Sequence, residues 1–430
     1  MIKSYFKSYF KDFHNVGYLR SSSVIFLMFA SQAIWWSFFQ IWLTSPKSGL
    51  SLSSSAVGTI FSVNSIVTLF LMFIYGAIQD RLGLKKNLLV FCAILISLVG
   101  PFFSWVYEPL LQHSFALGVI VGAIYLPAAF LGTAPLTETY AEKASRRFGF
   151  EYGQARAWGS LGYALASLMA GFLFVINPLL NFWGGSLLGV LFLISLLFTK
   201  SSTKKNNGTS PKFGEPSTIP TVKEIITVAK IPSLWVMIFL TMFTWTFYTV
   251  FDQQMFPQFY TSLFSTAALG QQTYGILSSV QVFFEAVMMG IIPFIMRKIG
   301  VRKTLLLGML VMTIRIGACS LTNDPVIVSF IKMLHSIEVP LFMLPIFRYF
   351  TLHFDTKLSA TLYMLGFQVA SQIGQAILST PLGILKDNFG HKITFVVISG
   401  IVFIATLCAF FMLKKDNEDV NGDPFLIAEK

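Results

Sequence analysis

The segment Lys332-Met-Leu-His-Ser-Ile-Glu-Val-Pro340 decides the fold, because it places ionisable side chains inside a stretch long enough to cross a bilayer. The surrounding apolar run, residues 326–350, has the length of a transmembrane helix. Lys332, His335 and Glu338 recur at three-residue steps and therefore share one helical stripe. An ionisable group at the bilayer centre costs about 2.5–3.5 kcal/mol. We therefore expect this stripe to face other helices or a water-filled cavity, with partners elsewhere in the chain.

The composition is that of an integral membrane protein. Of 430 residues, 55% are hydrophobic and 12% are charged, and the mean hydropathy is +0.70. A soluble protein of this length carries about twice that charge. Cys92, Cys319 and Cys408 all lie in apolar runs and lack the spacing of a disulfide framework or metal site. We expect neither a metal nor a cofactor.

Hydropathy predicts twelve membrane-spanning helices, and a polar, flexible connector separates the sixth from the seventh. We therefore predict an all-α integral membrane fold with two six-helix bundles. The predicted units are a first bundle at 1–199, a connector at 200–231, a second bundle at 232–413 and a tail at 414–430. The predicted spans are 23–44, 56–78, 87–107, 115–138, 157–177, 180–199, 232–257, 272–296, 303–321, 326–350, 358–385 and 393–413.

The basic residues predict the orientation. Of the 31 Lys and Arg residues, 26 lie in the N-terminus, the even-numbered loops and the tail. Lys and Arg concentrate on the cytoplasmic side of membrane proteins, so we expect both termini to be cytoplasmic and the protein to lie in the cell membrane. The net charge of +12 follows from this topology and favours anionic lipid headgroups. Nucleic acid is not an expected partner.

A loop motif occurs in both halves. Gly76-Ala-Ile-Gln-Asp80-Arg81-Leu-Gly83-Leu-Lys85-Lys86 follows the second span, and Arg297-Lys298-Ile-Gly300-Val-Arg302-Lys303 follows the eighth, 217 residues on. Both are also explained as ordinary basic loops of the cytoplasmic side. The first copy resembles the loop signature of the major facilitator superfamily. That resemblance implies two pseudo-symmetric halves with substrate bound between them at mid-membrane.

Three further ionisable residues, Asp252, Glu285 and Arg315, lie within the predicted spans of the second half. Depth alone pairs Asp252 with Lys332 and Arg315 with Glu338, and leaves His335 and Glu285 as a titratable pair. A static role, in which these pairs only join helices, remains the alternative.

The first half has fewer such residues. Glu138 ends the fourth span and Arg156 opens the fifth, and by hydropathy alone both are interfacial charges. Tyr163 lies seven residues after Arg156 on the same helical face. A guanidinium and a carboxylate bind adjacent hydroxyls and an aromatic ring packs on the apolar face of a pyranose, so the three also fit a neutral sugar.

These motifs together resemble the oligosaccharide:proton symporters, a family of the major facilitator superfamily, and most closely its sucrose-transporting members. The resemblance covers nearly the whole chain except the connector and tail. Its motifs include Trp35-Trp36-Ser37, Ile41-Trp42-Leu43, Val106-Tyr-Glu-Pro-Leu-Leu-Gln112, Glu151-Tyr-Gly-Gln-Ala-Arg-Ala-Trp-Gly-Ser160 and Phe251-Asp-Gln-Gln254.

The resemblance implies roles for specific residues. The sugar-binding set is Glu138, Arg156, Tyr163, Glu285 and His335. The proton-coupling set is Glu338, Arg315, His335 and Tyr248, beside a charge pair of Asp252 and Lys332. Two departures from the lactose-transporting members concern Glu285, which lies one helical turn later, and Thr249 with Ser371, which replace an Asp and a Lys.

We therefore expect a twelve-helix symporter that couples a neutral oligosaccharide, sucrose in the first instance, to a proton, and that works as a monomer. Another galactoside or fructoside is the alternative substrate. A facilitator or multidrug exporter and a non-transporting sugar sensor are the alternative functions. An exporter would favour an apolar cavity, and a sensor would carry a soluble output domain longer than the connector. No nucleophile–base pair or metal-ligand set indicates an enzyme.

Overall fold

The computed structural model describes residues 15–82, 86–150, 152–198, 228–354 and 361–421, except for the side chains of residues 80, 81 and 146. Helices account for nearly all of these residues, and no β-strand occurs among them. The predicted connector at 200–231 and the end of the tail fall largely outside the described residues.

The helices agree with an all-α membrane fold. Within the part of the chain that the structure describes, ten helices are long and apolar enough to cross a bilayer, and a bent pair adds an eleventh. The last of the ten bends at Gly390 (φ 73°, ψ 179°), a conformation open to glycine, and so contains the last two predicted spans. In chain order the helices are α1 (Val16–Thr44), α2 (Ser54–Leu82), α3 (Asn87–Ser97 continued by Val99–His113 after a 48° bend), α4 (Phe115–Leu126, continued by Pro127–Leu131 and Thr133–Phe148), α5 (Tyr152–Ile176), α6 (Leu179–Phe198), α7 (Pro232–Ser262), α8 (Ala267–Ile299), α9 (Val301–Leu321), α10 (Pro325–His353), α11 (361–389) and α12 (391–412).

Several helices extend beyond the predicted apolar spans. The first helix begins at Val16, seven residues before the predicted span that starts at residue 23. Asn15 caps this helix, because its side chain accepts a hydrogen bond from the Gly17 amide (2.9 Å). Helical hydrogen bonding continues past Glu138 until Gly149, whose φ of 69° ends the helix. Glu138 therefore lies within a helix instead of at its end. Hydropathy finds where a helix is apolar, whereas caps decide where it stops.

The two halves meet along α1, α2 and α5 of the first and α7, α8 and α11 of the second. We call the end where α1 begins and α12 finishes the terminal face, and the opposite end the far face. Near the far face, Gly171 of α5 lies against Gly275 of α8, and the halves approach closely because neither residue has a side chain. Asp387 accepts hydrogen bonds from the amides of Ser54 and Ser55 at the start of α2 (2.8 and 2.7 Å). The halves are therefore joined at the far face.

The repeated loops lead to equivalent contacts in the two halves. Lys86 Nζ, just before α3, donates to the carbonyls of Leu196 and Leu197 at the end of α6. Arg302, at the start of α9, donates to the carbonyl of Phe410 at the end of α12. In each half a basic residue at the start of its third helix satisfies carbonyls at the end of its sixth.

Candidate functional site

A cavity of about 340 Å³ lies between the two halves, within the size range of small-molecule sites. Helices α1, α2 and α5 form its first wall, and α7, α8 and α10 form its second. Its lining includes Phe29, Trp36, Gln40, Arg156, Tyr163, Tyr248, Thr249, Asp252, Gln253, Gln281, Glu285, Lys332 and His335.

The first wall contains one charge pair. Arg156 Nε lies 2.5 Å from Glu138 Oε1, and the two side chains are 34% and 35% exposed. The guanidinium of Arg156 also lies over the ring of Phe29, 4.4 Å from its centroid. Arg156 and Tyr163 line the cavity, and Glu138 is reached through Arg156. The structure thus brings the three predicted residues of the first half to one wall.

The second wall is centred on Asp252, which lies in a π-helical turn of α7, Phe251–Met255. Its Oδ1 is 2.6 Å from Lys332 Nζ, 3.1 Å from an Arg315 nitrogen and 3.2 Å from His335 Nδ1. The π-helical turn changes the direction of the side chains on α7, and such turns are frequent at functional sites. One carboxylate oxygen therefore contacts three basic side chains.

Behind this wall lies a fully buried ion pair. Arg315 Nε is 2.7 Å from Glu338 Oε1, and both side chains are 0% exposed. Neither Glu338 oxygen has a donor in hydrogen-bond geometry among the described residues, so the contact is electrostatic. Glu338 is on the same stripe of α10 as His335, and the distance from His335 Nδ1 to Glu338 Oε1 is 3.8 Å.

His335 connects this set to the cavity. Its Nε2 is 3.5 Å from Glu285 Oε2, and the Tyr248 hydroxyl is 2.8 Å from its Nδ1. Glu285 Oε2 also accepts a hydrogen bond from Gln281 Nε2 at 3.4 Å. Glu285 is 23% exposed and faces the cavity, whereas Glu338 is buried behind it.

Depth along the helices predicted three of these contacts but not their connection. Asp252 with Lys332, Arg315 with Glu338 and His335 with Glu285 all occur. They were predicted as separate pairs, whereas the structure joins them through Asp252 and His335 into one network. Sequence position gives the depth of a residue along its helix. Which basic side chains reach the same Asp252 oxygen depends on how α7, α9 and α10 pack together.

Several residues that line the cavity were not predicted as site residues from the sequence. Gln40, Gln253 and Gln281 all line the cavity. Gln40 and Gln281 are amides inside apolar spans, and Gln281 precedes Glu285 by one helical turn. Neutral polar residues also occur in helix–helix contacts, so this signal alone does not identify a site.

The two residues that depart from the lactose-transporting members both form local contacts. Thr249 lines the cavity and donates to the Trp245 carbonyl (2.8 Å), and Ser371 accepts from Gln375 (3.4 Å). With no charge at either position, neither residue needs a counter-ion.

Solved structures with a similar fold are transporters. The chain superimposes on a nucleoside transporter, NupG, with a TM-score of 0.77 at 13% identity, over 93% of this chain and all of the other. A D-xylose–proton symporter gives 0.65 at 13% identity, over 93% and 98% of the two chains. At this identity the likeness shows a shared fold.

Sequence comparison is more specific. The chain is 41% identical to sucrose permease of Escherichia coli, over 95% of this chain and 96% of the relative. It is 35% identical to raffinose permease of the same organism over 90% of each, and 34% identical to lactose permease of Citrobacter freundii over 87% and 89%. A sequence model described as LacY proton/sugar symporter matches residues 10–422. The chain therefore belongs to the LacY family of proton/sugar symporters, which are membrane transporters and not enzymes.

Proposed function

We propose that this protein takes up a neutral disaccharide, sucrose in the first instance, together with a proton. The observation that supports this most directly is the cavity between the halves, with a sugar-type wall on one side and a network of ionisable groups on the other. The 41% identity to a sucrose permease favours sucrose among the family's sugars.

Sugar binding is assigned to the first wall and to the cavity-facing end of the second. Arg156 and Glu138 bond adjacent hydroxyls through a fork and a carboxylate, and Tyr163 packs on the sugar ring. Both charged side chains are about one-third exposed, so a ligand reaches them without breaking a dry core. Glu285 and His335 contact the sugar from the opposite wall and link it to the buried charges.

Proton coupling is assigned to the network behind the second wall. It contains three carboxylates, Asp252, Glu285 and Glu338, against two cationic side chains, Arg315 and Lys332. With His335 neutral, this set has one negative charge in excess. A buried network is expensive unless its charges balance, so it favours binding one proton.

Glu338 is the proposed proton carrier, and Arg315 controls it. When Arg315 is close, the carboxylate is stabilised as an anion, and when Arg315 withdraws, the buried carboxyl binds a proton. Tyr248, whose hydroxyl contacts His335, connects this exchange to the sugar-binding residues. Asp252 and Lys332 form the charge pair that holds α7 to α10.

The protein acts in the cell membrane with its terminal face in the cytoplasm, in agreement with the distribution of basic residues. The contacts between the halves then close the cavity at the far face, while Arg156 and Glu138 remain about one-third exposed. Together these features correspond to a conformation that is open to the cytoplasm. We propose that it functions as a monomer, with the proton as coupling ion and no cofactor.

Counterflow in membrane vesicles tests the function and its substrate. Vesicles loaded with unlabelled sugar are diluted into labelled sucrose, lactose, melibiose or raffinose, and transient label accumulation is measured. Sucrose counterflow and proton uptake on sugar addition are the expected results. Lactose uptake without competition by sucrose contradicts the choice of sugar, and absence of transport with all four contradicts the sugar symporter and favours a sensor.

A further inference from the structure

The far-face end of the cavity holds polar side chains that the sugar and proton roles above do not use. Gln40 of α1 and Gln253 of α7 line the cavity, one from each half. Gln40 is 2% exposed, and its Oε1 has no hydrogen-bond partner among the described residues. Gln253 is exposed. Buried polar groups are nearly always hydrogen-bonded, so an unpaired acceptor beside a cavity indicates a missing ligand group.

Gln40 lies at a different depth from Arg156, the charged sugar residue that lines the cavity in the same half. The Arg156 guanidinium lies over Phe29. Phe29 and Gln40 are eleven residues apart on α1, which corresponds to about 16 Å at 1.5 Å per residue. The ring of Phe38, next to this level of α1, lies 5.5 Å from that of the cavity residue Tyr274 on α8. The cavity is therefore longer than a single hexose ring.

The two ends of the cavity also differ in chemistry. The Arg156 end presents a guanidinium and a carboxylate, whereas Gln40 and Gln253 supply neutral amides that both donate and accept, and the charges next to Gln253, Asp252 and Lys332, are paired with each other. Aromatic side chains lie between these levels, since Trp36 lines the cavity with its ring 5.7 Å from that of Phe61. Neutral amides beside aromatic rings suit a sugar ring that brings hydroxyls and an apolar face but no charge.

We propose that Gln40 and Gln253 form a second subsite, built on side-chain amides, that binds the disaccharide ring farther from Arg156. The Gln40 carbonyl accepts a hydrogen bond from a hydroxyl of this ring, and the Gln253 amide bonds another from the opposite wall. The subsite makes the cavity selective for two linked rings over one. This inference rests on the disaccharide function proposed above.

Two leucine substitutions and one control test the subsite. Gln40→Leu and Gln253→Leu each remove an amide while keeping a side chain of similar size. We expect each to weaken sucrose binding about tenfold, as for the loss of one or two hydrogen bonds, and to leave binding of methyl α-D-glucopyranoside unchanged. Thr44→Val is the matched control, because the Thr44 hydroxyl accepts from Gln40 Nε2 (3.4 Å) without lining the cavity.

Affinities are measured by counterflow and by competition with the single-ring glycoside, after membrane insertion of each variant has been verified. Equal losses for sucrose and the glycoside, or equal effects of Thr44→Val and Gln40→Leu, overturn the subsite. If Gln40→Leu fails to insert, Gln253→Leu decides by the same criterion. Wild-type protein without sucrose counterflow contradicts the proposed substrate instead, and the variants are then compared on whichever of lactose, melibiose and raffinose the wild type exchanges most.

Discussion

The two walls of the cavity hold their charges in different surroundings. The pair on the first wall, Glu138 and Arg156, is about one-third exposed. The network on the second wall is much drier, from 0% exposure at Arg315 and Glu338 to 23% at Glu285. A partly exposed ion pair can exchange its contacts for those of a ligand at a small cost in free energy. A buried network instead changes its charge by binding or losing a proton. This difference separates sugar binding from proton coupling.

The largest effect is expected from Glu338→Gln, which removes the buried carboxylate and mimics its protonated form. Sugar still binds and exchanges, because the first wall is intact, but uphill accumulation is lost. At about 2.3 kcal/mol per charge per 100 mV, a potential of about 150 mV supports a sugar gradient of some 300-fold across the membrane. In Glu338→Gln we expect this gradient to be lost, so that sugar only equilibrates. Equilibrium exchange and proton-driven uptake are measured in the same vesicles.

The control for this variant is Glu418→Gln, the same change in a half-exposed tail residue outside the cavity. It leaves both activities unchanged. Accumulation by Glu338→Gln against a gradient shows that the proton binds elsewhere and that the second wall only joins helices.

The next effect concerns the first wall. Arg156→Lys keeps the charge but loses the planar fork, so adjacent hydroxyls are no longer held together. Loss of a charged hydrogen bond corresponds to a fall in sugar affinity of about 10- to 100-fold. Binding to purified protein is measured, with Arg302→Lys as a control that alters an arginine outside the cavity. Normal binding by Arg156→Lys returns Arg156 to an interfacial role.

A third prediction uses the charge balance of the second wall. Lys332→Met leaves Asp252 with less compensation and adds one uncompensated negative charge to the network. We expect destabilisation of about 3 kcal/mol, as for breaking a buried pair, seen as a lower unfolding temperature and reduced uptake. Adding Asp252→Asn restores the original balance and recovers stability. A double variant no more stable than Lys332→Met shows that pairwise geometry matters more than net charge.

The smallest effect concerns the contact that joins the two halves at the far face. Asp387→Ala removes two hydrogen bonds to the start of α2, where a cap contributes about 1 kcal/mol. The cavity should therefore open more often towards the far face. With the three native cysteines replaced, maleimide labelling of a cysteine introduced at Ser278 from that side is expected to rise about fivefold. If labelling is unchanged, the far face is held closed by the contact between Gly171 of α5 and Gly275 of α8 and not by Asp387.

The sequence by itself determined the class, the approximate spans and the pairing of charges by depth. Apolar runs of bilayer length leave few alternatives to helices, because backbone groups in lipid must bond within their own segment. An ionisable stripe such as Lys332, His335 and Glu338 requires partners within the protein, since lipid offers none. Depth along each span was then sufficient to choose them.

Only the tertiary structure decided how these groups connect. It placed Glu138 inside a helix, because a glycine cap and not hydropathy ends that segment. It joined the separate pairs at one Asp252 oxygen and placed Gln40 and Gln253 on the same cavity. Periodicity assigns a residue to a face of its own helix, but which faces meet, and which side chain is left without a partner, depends on packing between helices distant in sequence.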